Sequence, residues 1–295
     1  MRRRVAEASL LAALLLLAAC ASVPQAVEDP LAAEACDVTR QRLAAAEPGT
    51  PETAALAGRI AGSCETLGRD YAQALRASAL AGAATPIPIL RSPEDPAGRL
   101  VERTDGATRQ IQVVLWADQR TVEHYYARES GTTPPDRPVV WVTLAPELQE
   151  WCAGLDWSDP APEARAANYQ RISQRLGLPP YALNDRFVLL WVEPERLLRP
   201  CADPDPARDA CGPALPDSIE VPDLTREAYA AWFTGNVGNA YSENGAPWTR
   251  YGWTYDWAAD AGEPPYGASE FMLAPGTRYE IEAVRRAAAY CTIVR

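Results

Sequence analysis

The chain of 295 residues contains no lysine, and all 28 of its basic residues are arginine. A guanidinium keeps its proton at any ordinary pH, so Schiff-base chemistry, a lysine general base and a lysine-bearing phosphate loop are excluded. Histidine is almost as scarce, His124 being the only one. No two cysteines stand at Cys-x-x-Cys spacing, so neither the imidazole nor the thiolate set of a zinc site is present and no metal is expected. His124 could serve as a general base near neutral pH. The chain lacks a Gly-x-Ser-x-Gly elbow, however, and its cysteines are taken up below, so His124 has no nucleophile to activate and a surface or structural role is expected. Positive charge is in deficit too, with 39 acidic residues giving a formal charge of −11. Such a surface repels nucleic acid rather than gathering it. No cofactor is called for by any pattern in the chain.

What is present begins at the N-terminus. Arg2, Arg3 and Arg4 precede an apolar run over residues 10–19 that is too short to span a bilayer and is followed by small residues. Leu17-Ala18-Ala19-Cys20 resembles the lipobox of bacterial lipoproteins. The resemblance implies that residues 1–19 are a signal peptide, that the Cys20 thiol takes a diacylglyceryl group, and that the new amine is acylated, for instance with palmitate. Together these chains give stable anchoring. Residues 20–30 then form a lipidated tether on the extracytoplasmic side, and in a two-membrane cell the resemblance, with Ala21 in place of Asp, favours sorting to the cell outer membrane, facing either the periplasm or the surface. Loss of Arg2, Arg3, Arg4 and Glu7 with the leader moves the formal charge from −11 to −13.

Beyond Cys20 six cysteines remain, an even set in a compartment where disulfides persist. Residues 31–46 read as a helix broken by Pro48-Gly49-Thr50-Pro51, and Thr50 can cap the next helix. Leu56, Ile60, Cys64, Leu67, Tyr71 and Leu75 then form one stripe of an amphipathic helix reaching about residue 80, with Gly62-Ser63 its weak point. Cys36 and Cys64 both face the seam of this hairpin over residues 31–81 and are expected to pair. A proline-rich linker is expected over 82–106. From 107 to 295, runs at 109–116, 138–144, 186–192, 250–257, 268–273 and 277–284 suit strands, with helices at 147–154, 162–176 and 222–237 between them. The expected fold class is α+β, a helical hairpin followed by a mixed domain with a mainly antiparallel sheet. Cys201 and Cys211 bracket a short loop that their bridge could close, which leaves Cys152 to Cys291 by elimination.

The densest chemical feature is residues 248–257, WTRYGWTYDW. In an extended strand Tyr251, Trp253, Tyr255 and Trp257 point one way. Core packing is the preferred reading of that face. As a groove wall extended by Trp248 it would suit a glycan, with Glu243, Asp256, Glu263 and Glu270 as candidates for polar contact or acid-base work, because glycoside hydrolysis needs paired carboxyls.

The stretches PVVWVTLAPELQEW, RFVLLWVEPERLLRPCADPDPARDAC and APWTRYGWTYDWAADAGEPPYGASEFMLAPGTRYEIEAV, with AYC at 289–291, resemble a group of uncharacterised bacterial proteins with no activity to transfer. Ser269-Glu270-Phe271 followed by Ala274-Pro275-Gly276-Thr277 is similar to the end of ADP-ribosyltransferase domains, which implies a catalytic role for Glu270, although Ala268 stands where the common paired form has a second glutamate. The expectation is a lipid-anchored extracytoplasmic lipoprotein that binds a glycan or a protein partner, the alternative being an enzyme built on the aromatic and acidic C-terminal region. Replacement of one residue tests the anchor: Cys20→Ala should move the protein out of the membrane fraction and abolish incorporation of labelled fatty acid. Unchanged partitioning would refute it.

Overall fold

The computed structural model describes residues 30–81, 90–95, 99–136, 140–212, 214–242 and 245–293; Cys20 and Glu243 lie outside them. Three helices open the described chain, α1 (Pro30–Ala45), α2 (Pro51–Gly62) and α3 (Cys64–Leu80). Thr50 starts α2 as expected: its Oγ1 accepts from Thr53 N at 3.2 Å, while Thr53 Oγ1 accepts from Thr50 N at 3.0 Å. The single long helix read from the apolar stripe is instead two, because Ser63 leaves helical geometry (φ −116°, ψ 12°) and its hydroxyl donates to Arg59 O at 3.0 Å. The stripe survives the break, and Leu56, Ile60, Cys64, Leu67 and Tyr71 are all buried.

The remainder is α+β. An eight-stranded antiparallel sheet has the order β3 (Ser130–Thr132), β10 (Arg278–Arg286), β5 (Arg186–Val192), β2 (Thr108–Ala117), β4 (Trp141–Leu144), β9 (Phe271–Leu273) and β6 (Leu197–Leu198), with β1 (Glu102–Asp105) on the early part of β2. A second, two-stranded sheet pairs β7 (Trp253–Tyr255) with β8 (Tyr266–Ser269). β1 falls within the stretch expected to be linker. Helices α4 (Gln119–Tyr125), α5 (Ala145–Cys152), α6 (Pro162–Arg175), α7 (Arg226–Ala240) and α8 (Ala287–Cys291) complete the described elements.

β2 and β5 are apolar without alternation because both their faces are buried. Val114, Trp116, Phe187 and Leu189 pack against Leu56, Ile60, Tyr71, Tyr169 and Tyr290. On the opposite face Val113, Val188, Leu190 and Val192 meet Val142, Leu144, Phe271 and Leu273. The N-terminal helices therefore share a core with the sheet instead of standing apart as a separate hairpin. A third cluster gathers Leu198, Tyr229 and Met272, with Trp141 and Trp232 against it.

The three disulfides join Cys36 to Cys64, Cys152 to Cys291 and Cys201 to Cys211, the expected connectivity, with Cα–Cα distances of 5.2, 5.3 and 6.1 Å. Such bridges fit an extracytoplasmic, oxidising compartment. Among the described residues no helix is long and apolar enough to cross a membrane. The Cys152 to Cys291 bridge spans 139 positions, a closure that stabilises by about 5 kcal/mol in the chain-entropy account.

Arg199 follows β6 and is 0% exposed. No carboxylate pairs with it among the described residues. Its Nη2 donates to the carbonyls of Arg91, Pro206 and Arg208 at 2.7, 3.1 and 3.0 Å, its Nη1 to Gly252 O at 3.3 Å, and its guanidinium lies 4.5 Å from the Phe271 ring centre. Burial pulls its pKa down to about 10, so it stays charged at neutral pH. Gly252 must be glycine, since its φ is +73° and a Cβ there would sit 2.6 Å from Arg199 Cδ. Removing the guanidinium leaves several buried carbonyls without a donor, and Arg199→Met should cost at least about 3 kcal/mol, read as a lower urea midpoint. A midpoint equal to the parent's would show that water or neighbouring groups satisfy those carbonyls.

Candidate functional site

The main sheet parts in its middle. β2 pairs with β4 only at Val113 with Leu144 and Val114 with Thr143. Past that point Leu115, Trp116 and Ala117 continue along β5, whereas Val142 and Trp141 continue along β9. The gap between the diverging strands opens into a cleft of about 1280 Å³. All three apolar clusters reach it: Trp116 and Leu178 from the first, Tyr126 and Val142 from the second, Trp141 from the third.

Its walls are held by groups from distant parts of the chain. Trp141 and Trp248 meet edge to face at 6.1 Å, and Tyr126 and Tyr279 lie 6.0 Å apart. Tyr125 stands at the lip, 65% exposed. The wall over residues 245–248 is fastened to α3, where Tyr71 Oη donates to Gly245 O at 2.8 Å, and to the end of α7, where Tyr241 Oη donates to Trp248 O. Arg250 adds a third tie: its Nη2 donates to Ala79 O and Ala81 O at the C-terminal end of α3, at 2.7 and 3.2 Å. It does so from φ +64°, a left-handed conformation uncommon for a residue with a side chain. Asn236 and Asn239 on α7 also line the cleft.

Glu270 sits between β8 and β9, where one strand leaves the small sheet for the large one. Its backbone N donates to Gly252 O at 2.9 Å. The residue before it is fixed as well, Ser269 O accepting from Thr143 Oγ1 at 2.7 Å and Ser269 N donating to Glu147 Oε1 at 2.9 Å. The half-buried Glu270 side chain faces the cleft, and its Oε2 is covered with no hydrogen-bond partner. Burial drives its pKa up to about 8 against a weaker opposing pull from Arg199. At neutral pH this carboxyl is mostly protonated. Trp248 Nε1 is likewise buried without an acceptor.

The other residues singled out in the sequence lie elsewhere. Asp256 is buried and spoken for: Arg171 Nη1 and Nη2 donate to it at 3.0 and 2.8 Å, Arg175 lies at 3.6 Å, and both guanidinium groups stack on Trp151. It braces α6 to β7 and does not meet Glu270 at the cleft. His124 is exposed on α4, its ring 4.5 Å from that of Tyr125, and does not line the cleft. Trp253 and Trp257 are core residues at 1% and 4% exposure, Trp257 Nε1 donating to Leu178 O at 2.9 Å. The four-residue aromatic face is interrupted because Arg250 and Gly252 take positive φ, so regular strand covers Trp253–Tyr255 alone. Tyr251 bridges Cys201 instead. Of the aromatic candidates, Trp248 and Tyr255 reach the cleft. Glu263 is exposed. Among the described residues no three of His, Cys, Asp or Glu gather as a metal-holding set.

No family model, no curated protein and no solved structure matches the chain.

The raised pKa of Glu270 has a consequence for folding. Between the ordinary carboxyl value of 4.5 and about 8 the unfolded chain has lost this proton while the folded chain keeps it. Folding stability from this group therefore falls as pH rises across that window. Glu270→Gln, which cannot ionise, should melt like the parent at pH 4 and progressively above it from pH 5 to pH 8. An equal melting difference at all pH values would place the Glu270 carboxyl in water.

Proposed function

We propose that the protein is a lipid-anchored extracytoplasmic binding module that takes an uncharged, elongated apolar molecule into the cleft between β2 and β4. The reading rests on one observation above others: a cleft of about 1280 Å³, reached by all three apolar clusters, whose described lining contains no arginine and no histidine. Its volume exceeds the ~300–1,000 Å³ of sites that enclose drug-sized ligands. The anchor implied at Cys20 supports the same reading, since it would hold the cleft beside a membrane, a source of such molecules, and Ala21 favours the outer membrane.

Two enzymatic alternatives have less to draw on. Glycoside hydrolysis needs a pair of carboxyls across the reacting bond, and Glu270 is the only acid in the described lining, Asp256 being bound to Arg171. ADP-ribosyl transfer would bring a pyrophosphate to Glu270, and the described lining offers it no cation.

The test uses the processed chain with Cys20→Ala and the fluorescent apolar probe N-phenyl-1-naphthylamine. Saturable uptake of one probe per chain is expected, with quenching of tryptophan emission. Ala246, exposed at the mouth of the cleft, provides the control: Ala246→Trp should block uptake and leave the melting temperature unchanged. Absence of saturable uptake by the parent would sink the proposal.

A further inference from the structure

Helix α7 reaches the cleft near its C-terminal end. Trp232 and Phe233 pack against Trp248, with ring centres 6.1 and 5.2 Å away, and Trp232 also lies 6.2 Å from Trp141. Asn236 and Asn239 follow on the same face and line the cleft. Residues three apart on a helix are neighbours, their Cβ atoms about 5–6 Å from one another, so both carboxamides can meet one small group. Asparagine is a poor helix former, and alanine or leucine would hold these two positions better.

Both side chains are open to a ligand. Asn236 is half-buried, Asn239 is exposed, and neither side chain makes a hydrogen bond among the described residues. The mouth of the cleft lies beside them: Ala246 there is exposed, and the neighbouring Gly245 is so close that a Cβ on it would sit 2.8 Å from Asn239 O. Thr133, Thr143 and Thr254 on the same lining instead donate to the carbonyls of Ala274, Ser269 and Arg175. The phenols of Tyr126 and Tyr279, at the end of α4 and on β10, offer one hydroxyl each, where a carboxamide offers a donor and an acceptor side by side. No arginine or histidine stands in the described lining, and the Oε2 of its one acid, Glu270, is covered. A charged head at Asn236 and Asn239 would therefore lose hydration without gaining a counter-charge.

Resting on the binding role proposed above, we propose that the ligand is a neutral amphiphile whose apolar chain fills the cleft and whose hydroxylated head is held at the mouth by Asn236 and Asn239. Each carboxamide has an oxygen that accepts and an NH₂ that donates. Vicinal hydroxyls match that set, because each can donate one hydrogen bond and accept another. A simple ester or ketone head only accepts, and leaves the two amide oxygens without a donor. The ligand class is thus an uncharged lipid whose head presents neighbouring hydroxyls, as an acylglycerol does.

Three molecules sharing one acyl chain separate the outcomes: 1-monodecanoylglycerol, methyl decanoate and decanoate, each displacing N-phenyl-1-naphthylamine from the processed Cys20→Ala chain below its micelle concentration. The glycerol ester should bind about tenfold tighter than the methyl ester, as one or two net hydrogen bonds would give, and decanoate should bind most weakly. In the double variant Asn236→Leu with Asn239→Leu the preference for the glycerol ester should vanish. That preference is read as a ratio within one protein, so a changed affinity for the probe does not disturb it. Equal binding of the two esters by the parent, tightest binding of decanoate, or a preference kept by the double variant would overturn the inference while leaving the apolar cleft in place. Failure of the probe to bind the parent would instead strike the binding role on which the inference rests.

Discussion

A single guanidinium without a counter-ion holds the middle of this molecule together. Arg199 draws four backbone carbonyls toward one point, and those carbonyls come from Arg91, the loop closed by Cys201 and Cys211, and Gly252. For the carbonyls of Arg91, Pro206 and Arg208 the guanidinium supplies the donor that a covered carbonyl needs. Arg199 is thus the device by which irregular chain can be packed at the heart of the fold. The same Gly252 carbonyl that receives Arg199 also receives the backbone N–H of Glu270. The position of the cleft carboxyl is therefore set from beneath by the arginine, though the two side chains make no hydrogen bond.

The contrast between Asp256 and Glu270 shows how little a residue's type reveals of its use. Both are acids in the same C-terminal stretch, and both lie among aromatic rings. Asp256 is met by Arg171 and Arg175 and spends its charge as a brace. Glu270 makes no ion pair, and burial outweighs the pull of Arg199 and pushes its pKa up to about 8. The difference lies in α6, whose arginines project toward β7 and not toward the strand junction where Glu270 sits.

Much of the scaffold was legible because its signals are local. Thr50 with Pro51, the stripe from Leu56 to Leu75, and the stop after α6 at Gly177 follow from capping and periodicity. The cysteine pairs were legible because two of them fall on a shared seam or a short loop and leave one remainder. The cleft was not, because it arises where pairing stops: β2 and β4 are bonded at two positions and then follow different neighbours. Nothing in Leu115 or Val142 announces that divergence. The aromatic strand over 251–257 was misjudged in extent for a related reason. Arg250 adopts positive φ to reach the end of α3, a long-range demand that overrides the extended preference of its neighbours. Arg199 sits in an apolar run, Leu197-Leu198-Arg199-Pro200, and a charged residue in such surroundings is the one sign that could have pointed to it.

The sheet order also imposes a timetable on the chain. β10, the last strand made, lies between β3 and β5 and so completes the sheet only after residue 286 has appeared. Contacts of such sequence separation form slowly, and until then the apolar faces of β2 and β5 have no final partner. Cysteine chemistry runs on the same clock. Cys201 and Cys211 arrive ten positions apart and can join at once, whereas Cys152 must wait for Cys291 across 139 positions. During that interval Cys152 is a thiol in an oxidising space with two other cysteines emerging beside it. Correct maturation then depends on early closure of the Cys201 loop or on thiol exchange that undoes a wrong partner.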